Sequence, residues 1–325
     1  MKSRIIGTGS YLPENIMTNY DLEKMVDTSH DWIVARTGIE ERRIAAEDQC
    51  TSDLGTIAAQ RAMDMAGVTA DQIDLIVMGT ITGDYPWPAT ACIVQDNLGA
   101  KNAFAYDVSA ACSGFLFALS CADDFLMSGR GKRALVIGAE TFSRIVDWTD
   151  RNTCVLFGDG AGAVLLEAQE GDAGILSCHL HSDGKYFELL CQKGFGTKYP
   201  PSVEGIEAKL PFISMQGNEV FKVAVRSLTE VSKEALTTNG FTSADVAQFI
   251  PHQANRRILE ATTKRLGLTK EQSFINVHKY GNTSGATIPI AIDEANHQGL
   301  LKEGDLLLSA AFGGGFTWAS TLIRW

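Results

Sequence analysis

An internal repeat constrains this chain more than any other feature of its sequence. In the first half, DLIVMGTITGD (74–84) reads as a buried strand entering a loop. AFAYDVSAACSGF (103–115) reads as a strand, a tight turn and a helix, and RALVIGAETFSR (133–144) as a strand and a loop. The second half repeats the rhythm in VAQFIPHQANRR (246–257), FINVHKYGNTSGA (274–286) and DLLLSAAFGGGF (305–316). The spacings agree: Asp74 to Phe104 is 30 residues and Phe104 to Arg133 is 29, against 27 from Ala247 to Phe274 and 31 from Phe274 to Asp305. Strands separated by helices at such intervals indicate βαβ units and mainly parallel sheets. The helices are visible too. ATACIVQDNLG (89–99) and RRILEATTKRLG (256–267) place apolar residues on one helical face and stop at glycine. GAGAVLLEA (160–168) and FTWASTLIRW (316–325) read as the closing strands. The fold class expected is α/β, with two pseudo-repeated βαβ halves, residues 1–170 and 171–325, in one body.

Several function classes are disfavoured. No apolar run approaches the roughly 18 residues that a membrane span needs, and the opening MKSRIIGTGSYLP has only a short apolar pair, so a cytoplasmic protein is expected. A net charge of −11 argues against a nucleic-acid binder. Seven cysteines without a C-x-x-C pair argue against a disulfide framework and a zinc site. His179 and His181 have no suitably spaced Cys or carboxylate to join them, so no metal is expected.

In open parallel sheets, sites gather at the carboxyl ends of strands. Cys112, His252, Asn282 and the glycines of FGGG (312–315) each follow an apolar strand. Loops from both halves would therefore converge on one pocket. Cys112 sits near the start of a helix, where unpaired N–H groups and the helix dipole favour a thiolate. A packing role is the competing reading for each cysteine. Cys121, in mid-helix, is read as a core residue, as are Cys50, Cys92, Cys154, Cys178 and Cys191. His252 after Pro251 has a turn-forming alternative, and Asn282-Thr283-Ser284 could be a helix cap. Taken together, Cys, His and Asn suit a thioester: the thiol takes the acyl group, and imidazole and amide N–H groups donate to a developing oxyanion. The glycines, with the N–H of Cys112, offer a second oxyanion hole.

In the order and spacing of its motifs the chain resembles β-ketoacyl-acyl-carrier-protein synthase III. The resemblance runs over essentially the full length, through IIGTGSYLPENIMTNYDLEKMVDTS, WIVARTGIEERRIA, DVSAACSGF, FGDGAGA, GNEVFKVAV, PHQAN, GNTSGA and AFGGGFTWAS. It implies a thiolase-like fold, a five-layered αβαβα body built by duplication. It also implies acyl transfer from acetyl-CoA, or another short acyl-CoA, to Cys112. Decarboxylative condensation with malonyl-acyl carrier protein would follow, without a cofactor.

By the same resemblance, His252 and Asn282 would hold the enolate. The N–H groups of Cys112 and Gly314 would hold the acyl oxyanion, and Phe312 would keep the carboxylate region dry. Thr28, Trp32, Arg36, Arg151 and Asn255 would contact CoA. Trp87, Leu156, Phe157 and Phe221 would line the acyl pocket, with Trp87 reaching across a homodimer. Its large ring is expected to favour acetyl or propionyl primers. Lys222, Arg256, Arg257, Lys264 and Arg265 would meet an acidic carrier protein, a local basic face on an acidic chain. The competing functions are a specialised starter-unit synthase for longer or aromatic acyl thioesters, a thioester hydrolase and a silent acyl-CoA-binding protein.

Overall fold

The apolar runs of the first half form one five-stranded sheet in a computed structural model describing residues 1–325. Its strands are β1 (Lys2–Tyr11), β2 (Leu75–Gly79), β3 (Phe104–Val108), β4 (Arg133–Thr141) and β5 (Asp159–Gln169), in the spatial order β1-β5-β4-β2-β3. β2 lies parallel to β3 and β4, as strand–helix–strand crossovers require, whereas β5 runs antiparallel to β4 and β1. The second sheet contains β6 (Gly174–Ser182), β7 (Gln248–Pro251), β8 (Leu306–Gly313) and β9 (Thr317–Arg324), in the order β7-β8-β9-β6. Only β7 and β8 are parallel there.

Both sheets are covered on both faces, which is why their central strands read as continuous apolar runs rather than as alternation. The seven helices that matter here are α1 (His30–Thr37), α2 (Thr51–Ala66), α3 (Thr90–Leu98), α4 (Gly114–Met127), α5 (Gly217–Thr238), α6 (Arg256–Leu266) and α7 (Thr287–His297). Successive strand residues point to opposite faces. Ile76, Met78 and Ile137 therefore pack outward against Leu54, Ala58 and Val94 of α2 and α3. Leu75, Val77 and Val136 pack inward, with Phe115 and Leu119 of α4 and Ile288 and Ile292 of α7. Leu307 and Ala319 of the second sheet close that middle layer. Leu308 and Phe249 face the other way, onto Leu228 and Val231 of α5 and Ile258 of α6. Each such side chain contributes about 1.5–3 kcal/mol on burial, and no face of either sheet is left to water. The layering is αβαβα, the five-layered thiolase-like fold.

The helix limits agree with the sequence reading. Gly99 ends α3 and Gly267 ends α6, with φ of 69° and 72°. One expected strand is absent. FINV (274–277) makes only a single bridge, through Ser273 to Phe249. The side chain of Gln253 then replaces a ladder: its Nε2 donates to Phe274 O at 3.1 Å and its Oε1 accepts from Asn276 N at 3.0 Å. With those groups satisfied, the chain turns at once into a short helix, Val277–Tyr280.

Candidate active site

Two matching turns meet at the centre of the molecule. After β3, Ala111 takes a φ of 47°, and the turn Ala111–Ser113 leads into α4. In the second half Ser284 takes a φ of 49°, and the turn Ser284–Ala286 leads into α7. A left-handed non-glycine residue costs on the order of 1–3 kcal/mol and persists where its surroundings fix it. The first turn presents Cys112. The end of β8 abuts it so closely that a Cβ on Gly313 would lie 2.6 Å from Cys112 N.

A cavity of about 790 Å³ opens over this junction, and Cys112, His252, Asn282, Phe312 and Gly314 all line it. Loops from the ends of β3, β7 and β8 and from the turn before α7 thus converge. Asn282 is held by its backbone, which donates to Leu156 O at 2.8 Å and accepts from Gly158 N at 3.1 Å. Its Oδ1 accepts from Ser284 N at 2.8 Å, so it caps that turn and not α7, and its Nδ2 is left for the cavity. His252 is 2% exposed, and its Nδ1 lies 2.6 Å from Thr287 Oγ1. The same hydroxyl is 3.0 Å from Ser284 O, a carbonyl already met by the Thr287 N–H. The hydroxyl donates to that carbonyl, and Nε2 of the imidazole is left for the cavity.

Burial sets the charges. It pushes His252 down to about 3, so the imidazole is neutral at ordinary pH. It pushes the Cys112 thiol up to about 12, a change that a neighbouring Ser284 hydroxyl partly opposes. The thiolate expected from the helix N-terminus is therefore not the resting state. Among the other cysteines, Cys154 is buried as expected, while Cys121, Cys178 and Cys191 are partly buried. Cys191 stands in the cavity wall, and Cys50 and Cys92 are exposed and so are not core residues.

Trp32, Arg36, Asn255, Leu156, Phe157, Phe221, Lys222 and Arg257 line the same cavity. Two guanidiniums cover Trp32: Arg36 Cζ lies 4.3 Å from the ring centroid and Arg151 Cζ 5.2 Å. A base inserted between Trp32 and Arg151 would have to displace the latter, which donates to Asp27 O at 2.7 Å. Asn255 already uses both ends of its amide, accepting from Arg257 N at 2.8 Å and donating to Arg36 O at 3.0 Å. Thr28 lies off the cavity wall, and its buried hydroxyl has no partner. Arg256, Lys264 and Arg265 lie exposed on α6, outside the cavity. Trp87 is 83% exposed and also outside the cavity, so a single chain does not bring it to Cys112. No group of three or more His, Cys, Asp or Glu side chains could hold a metal ion.

The match with known proteins is extensive. Residues 106–184 match the family described as 3-oxoacyl-[acyl-carrier-protein (ACP)] synthase III, and residues 236–325 match its C-terminal region. A β-ketoacyl-[acyl-carrier-protein] synthase III from Xanthomonas campestris pv. campestris is 56% identical, over 99% of this chain and 98% of the relative. One from Caldanaerobacter subterraneus subsp. tengcongensis is 52% identical, over 99% and 97%. The crystal structure of 3-oxoacyl-[acyl-carrier-protein] synthase III from Aquifex aeolicus VF5 superposes with a TM-score of 0.93 at 49% identity, covering 99% of this chain and all of the other. The chain belongs to the β-ketoacyl-[acyl-carrier-protein] synthase III family. It is an acyltransferase, a condensing enzyme of fatty acid synthesis. No helix of this synthase III is long and apolar enough to cross a membrane.

Residues that the motifs did not single out complete the site. Ile81, Phe142, Ile145 and Met215 line the synthase cavity, and the Phe142 ring stacks on Phe157 at 4.3 Å. Nothing local in the sequence marks them, because they come from three separate segments. Thr287 was equally silent. Glu140 did carry a signal, as the one carboxylate in the apolar run of β4, and it is completely buried beneath the turns.

Proposed function

We propose that the enzyme primes fatty acid synthesis by moving an acetyl group, or another short acyl group, from acyl-CoA to Cys112. Condensation with malonyl-acyl carrier protein then gives acetoacetyl-acyl carrier protein, CoA and CO2. The observation that carries this reading is the convergence on one cavity of a thiol and two neutral donors. Cys112 attacks the thioester carbon, with the oxyanion on the N–H groups of Cys112 and Gly314. The malonyl thioester follows into the same cavity. Phe312, itself packed on Phe316 at 4.7 Å, gives its carboxylate an apolar surface that favours loss as CO2. His252 Nε2–H and Asn282 Nδ2–H then hold the enolate oxygen, and the enolate carbon attacks the acyl-cysteine. Both donors are neutral, so neither has to be protonated first.

Trp32, Arg36, Arg151, Thr28 and Asn255 would guide CoA, the first three by stacking and charge. No metal or cofactor is required by this chemistry. The two halves, 1–170 and 171–325, each supply part of the site, and the reading includes a cytoplasmic homodimer. The dimer is supported by β3, an edge strand with one unpaired side on which Phe104 is 50% exposed, and by the bare Trp87. A partner's Trp87 would then close the acyl pocket beside Leu156, Phe157 and Phe221.

Incubation with labelled acetyl-CoA and malonyl-acyl carrier protein is expected to give acetoacetyl-carrier protein and CO2, and label on Cys112 that is lost in Cys112→Ala. Free acetate without condensation would indicate a thioester hydrolase. Priming by octanoyl-CoA as strong as by acetyl-CoA would overturn the short-chain preference.

The carrier would dock on α6 and the start of α5. Lys264 and Arg265 are exposed without an ion-pair partner, and Lys222 and Arg257 stand at the cavity, though Lys222 is held by Glu219 at 2.8 Å. Arg256 is 3.9 Å from Glu260. The double substitution Lys264→Glu/Arg265→Glu is expected to raise KM for the carrier substrate about tenfold or more. Acylation by acetyl-CoA should be unchanged. An unaltered carrier KM at low salt would remove this face from the interface.

A further inference from the structure

Acyl transfer as described leaves one group beside the nucleophile without a task. Glu140, on β4, is completely buried. Its Oε2 accepts from Thr82 N at 3.1 Å, from Ile81 N and Thr80 Oγ1 at 3.2 Å, and from the Thr82 hydroxyl. Its Oε1 accepts from Ser284 Oγ at 3.0 Å and Gly285 N at 3.4 Å. Six donors face the carboxylate, and no Lys, Arg or His is bonded to it. Burying an anion without a countercharge costs several kcal/mol. Burial accordingly raises Glu140 to about 7, close to the pH at which it must work.

The connection to the nucleophile runs through the second turn. Ser284, held at a φ of 49°, donates to Glu140 and also lies against the Cys112 thiol. That second contact favours the thiolate. A Cβ on Gly285 would come within 3.4 Å of Glu140 Oε1 and 3.5 Å of Ala111 O, so carboxylate and nucleophile turn press on one glycine. His252 makes no hydrogen bond to Cys112, and its Nδ1 is taken by Thr287.

We propose that Glu140 receives the Cys112 thiol proton through the Ser284 hydroxyl during acylation, and returns it when the acyl group leaves. The inference rests on the acyl-transfer reading above. In the first half-reaction the S–H bond of Cys112 breaks and its proton passes to Ser284 Oγ, as the Ser284 proton passes to Glu140 Oε1. Cys112 Sγ bonds to the acyl carbon, the carbon–sulfur bond to CoA breaks, and the departing CoA thiolate takes a proton from water. In the second half-reaction CO2 leaves the malonyl thioester and the enolate carbon bonds to the acyl carbon. The bond to Cys112 breaks, and the thiolate recovers its proton along the same path. One proton enters from water per turnover and ends on CoA. Because the thiol sits at about 12 and the carboxyl at about 7, thiolate does not accumulate, and proton transfer runs together with carbon–sulfur bond formation. Glu140 is neutral while the malonyl carboxylate and the enolate occupy the site, which spares them a buried like charge.

Rapid-quench measurement of Cys112 acylation by labelled acetyl-CoA tests the relay in the full chain, in Ser284→Ala, in Glu140→Gln and in Glu140→Asp. Acylation is expected to slow by about 10²-fold in Ser284→Ala and Glu140→Gln, the usual scale for a lost general base, and to be partly restored in Glu140→Asp. Cys112 is the titratable group facing Glu140, across Ser284. The parent rate should rise with pH through about 7 and then level off, and this step should vanish in Glu140→Gln, which a packing defect alone would not produce. If Glu140→Gln does not fold, Ser284→Ala decides, since it removes a single hydroxyl. Parent-like rates and pH profiles in the variants, or loss of acylation in His252→Ala alone, would overturn the relay and leave the acyl-transfer reading standing. A parent chain that forms no acyl-Cys112 would instead refute that reading.

Discussion

His252→Ala and Asn282→Ala are each expected to slow condensation by about 10²–10³-fold, the scale of losing one preorganised oxyanion donor. The acyl group should remain on Cys112. The size follows from how each donor is held. Asn282 Oδ1 is committed to Ser284 N at 2.8 Å, so Nδ2 can only face the cavity. His252 has Nδ1 at 2.6 Å from Thr287 Oγ1, which leaves Nε2 for the cavity. Both side chains are buried, where hydrogen bonds to a developing charge are strongest. The isosteric change Asn282→Asp should be worse than Asn282→Ala, because it offers an acceptor to the enolate oxygen. Thr287→Val should resemble His252→Ala in direction, since Nδ1 would lose the hydroxyl that fixes the ring. The check is single-turnover CO2 release from a malonyl thioester added to preformed acyl-enzyme. Burial holds His252 at about 3, so this step should not fall off through imidazole protonation above roughly pH 4. Condensation at the parent rate in Asn282→Asp would remove the amide from the enolate site.

The fold, and the place of Cys112 in the cavity wall, were legible in this sequence because both depend on local, repeated signals. Continuous apolar runs at near-equal spacing mark sheets covered on both faces, and a small-residue turn after such a run marks Cys112. FINV misled for a physical reason: its apolar pattern suits a strand, but the hydrogen bonds of the ladder come from a side chain, Gln253, whose role depends on the fold. The partnerships of Thr287, Ser284 and Glu140 were out of reach for the same reason. Each acts on a residue from another segment, Glu140 on Ser284 across 144 positions. The protonation of Cys112 was not legible, since a helix N-terminus is read from sequence whereas complete burial is not. Trp87 marks the opposite limit. It is exposed and off the cavity of a single chain, a position that no local pattern reveals.

Gly313→Ala is expected to be a single-methyl change that displaces Cys112 directly. A Cβ there would meet Cys112 N at 2.6 Å, Cys112 Cβ at 3.1 Å and Cys112 Cα at 3.2 Å. Two of these are backbone atoms of a turn that is already left-handed at Ala111, so neither side can yield by a rotamer change. Overpacking of this kind costs about 1–3 kcal/mol, and a displacement of the nucleophile approaching 1 Å costs roughly 10²-fold in rate. Acylation of Cys112 should therefore fall by at least about 10²-fold, with a drop of a few degrees in Tm. Gly314→Ala is the comparison. Its Cβ would meet Leu190 O at 2.9 Å and Ala111 Cβ only at 3.7 Å, so the strain falls on the short strand Leu190–Gln192 rather than on the nucleophile. The Gly314 N–H is kept, and the loss of acylation should be much smaller. Thermal denaturation and rapid-quench acylation of the two variants separate these outcomes. If both slow acylation equally, the end of β8 acts through the cavity as a whole. If only Gly313→Ala does, its contact with Cys112 sets the position from which the thiol attacks.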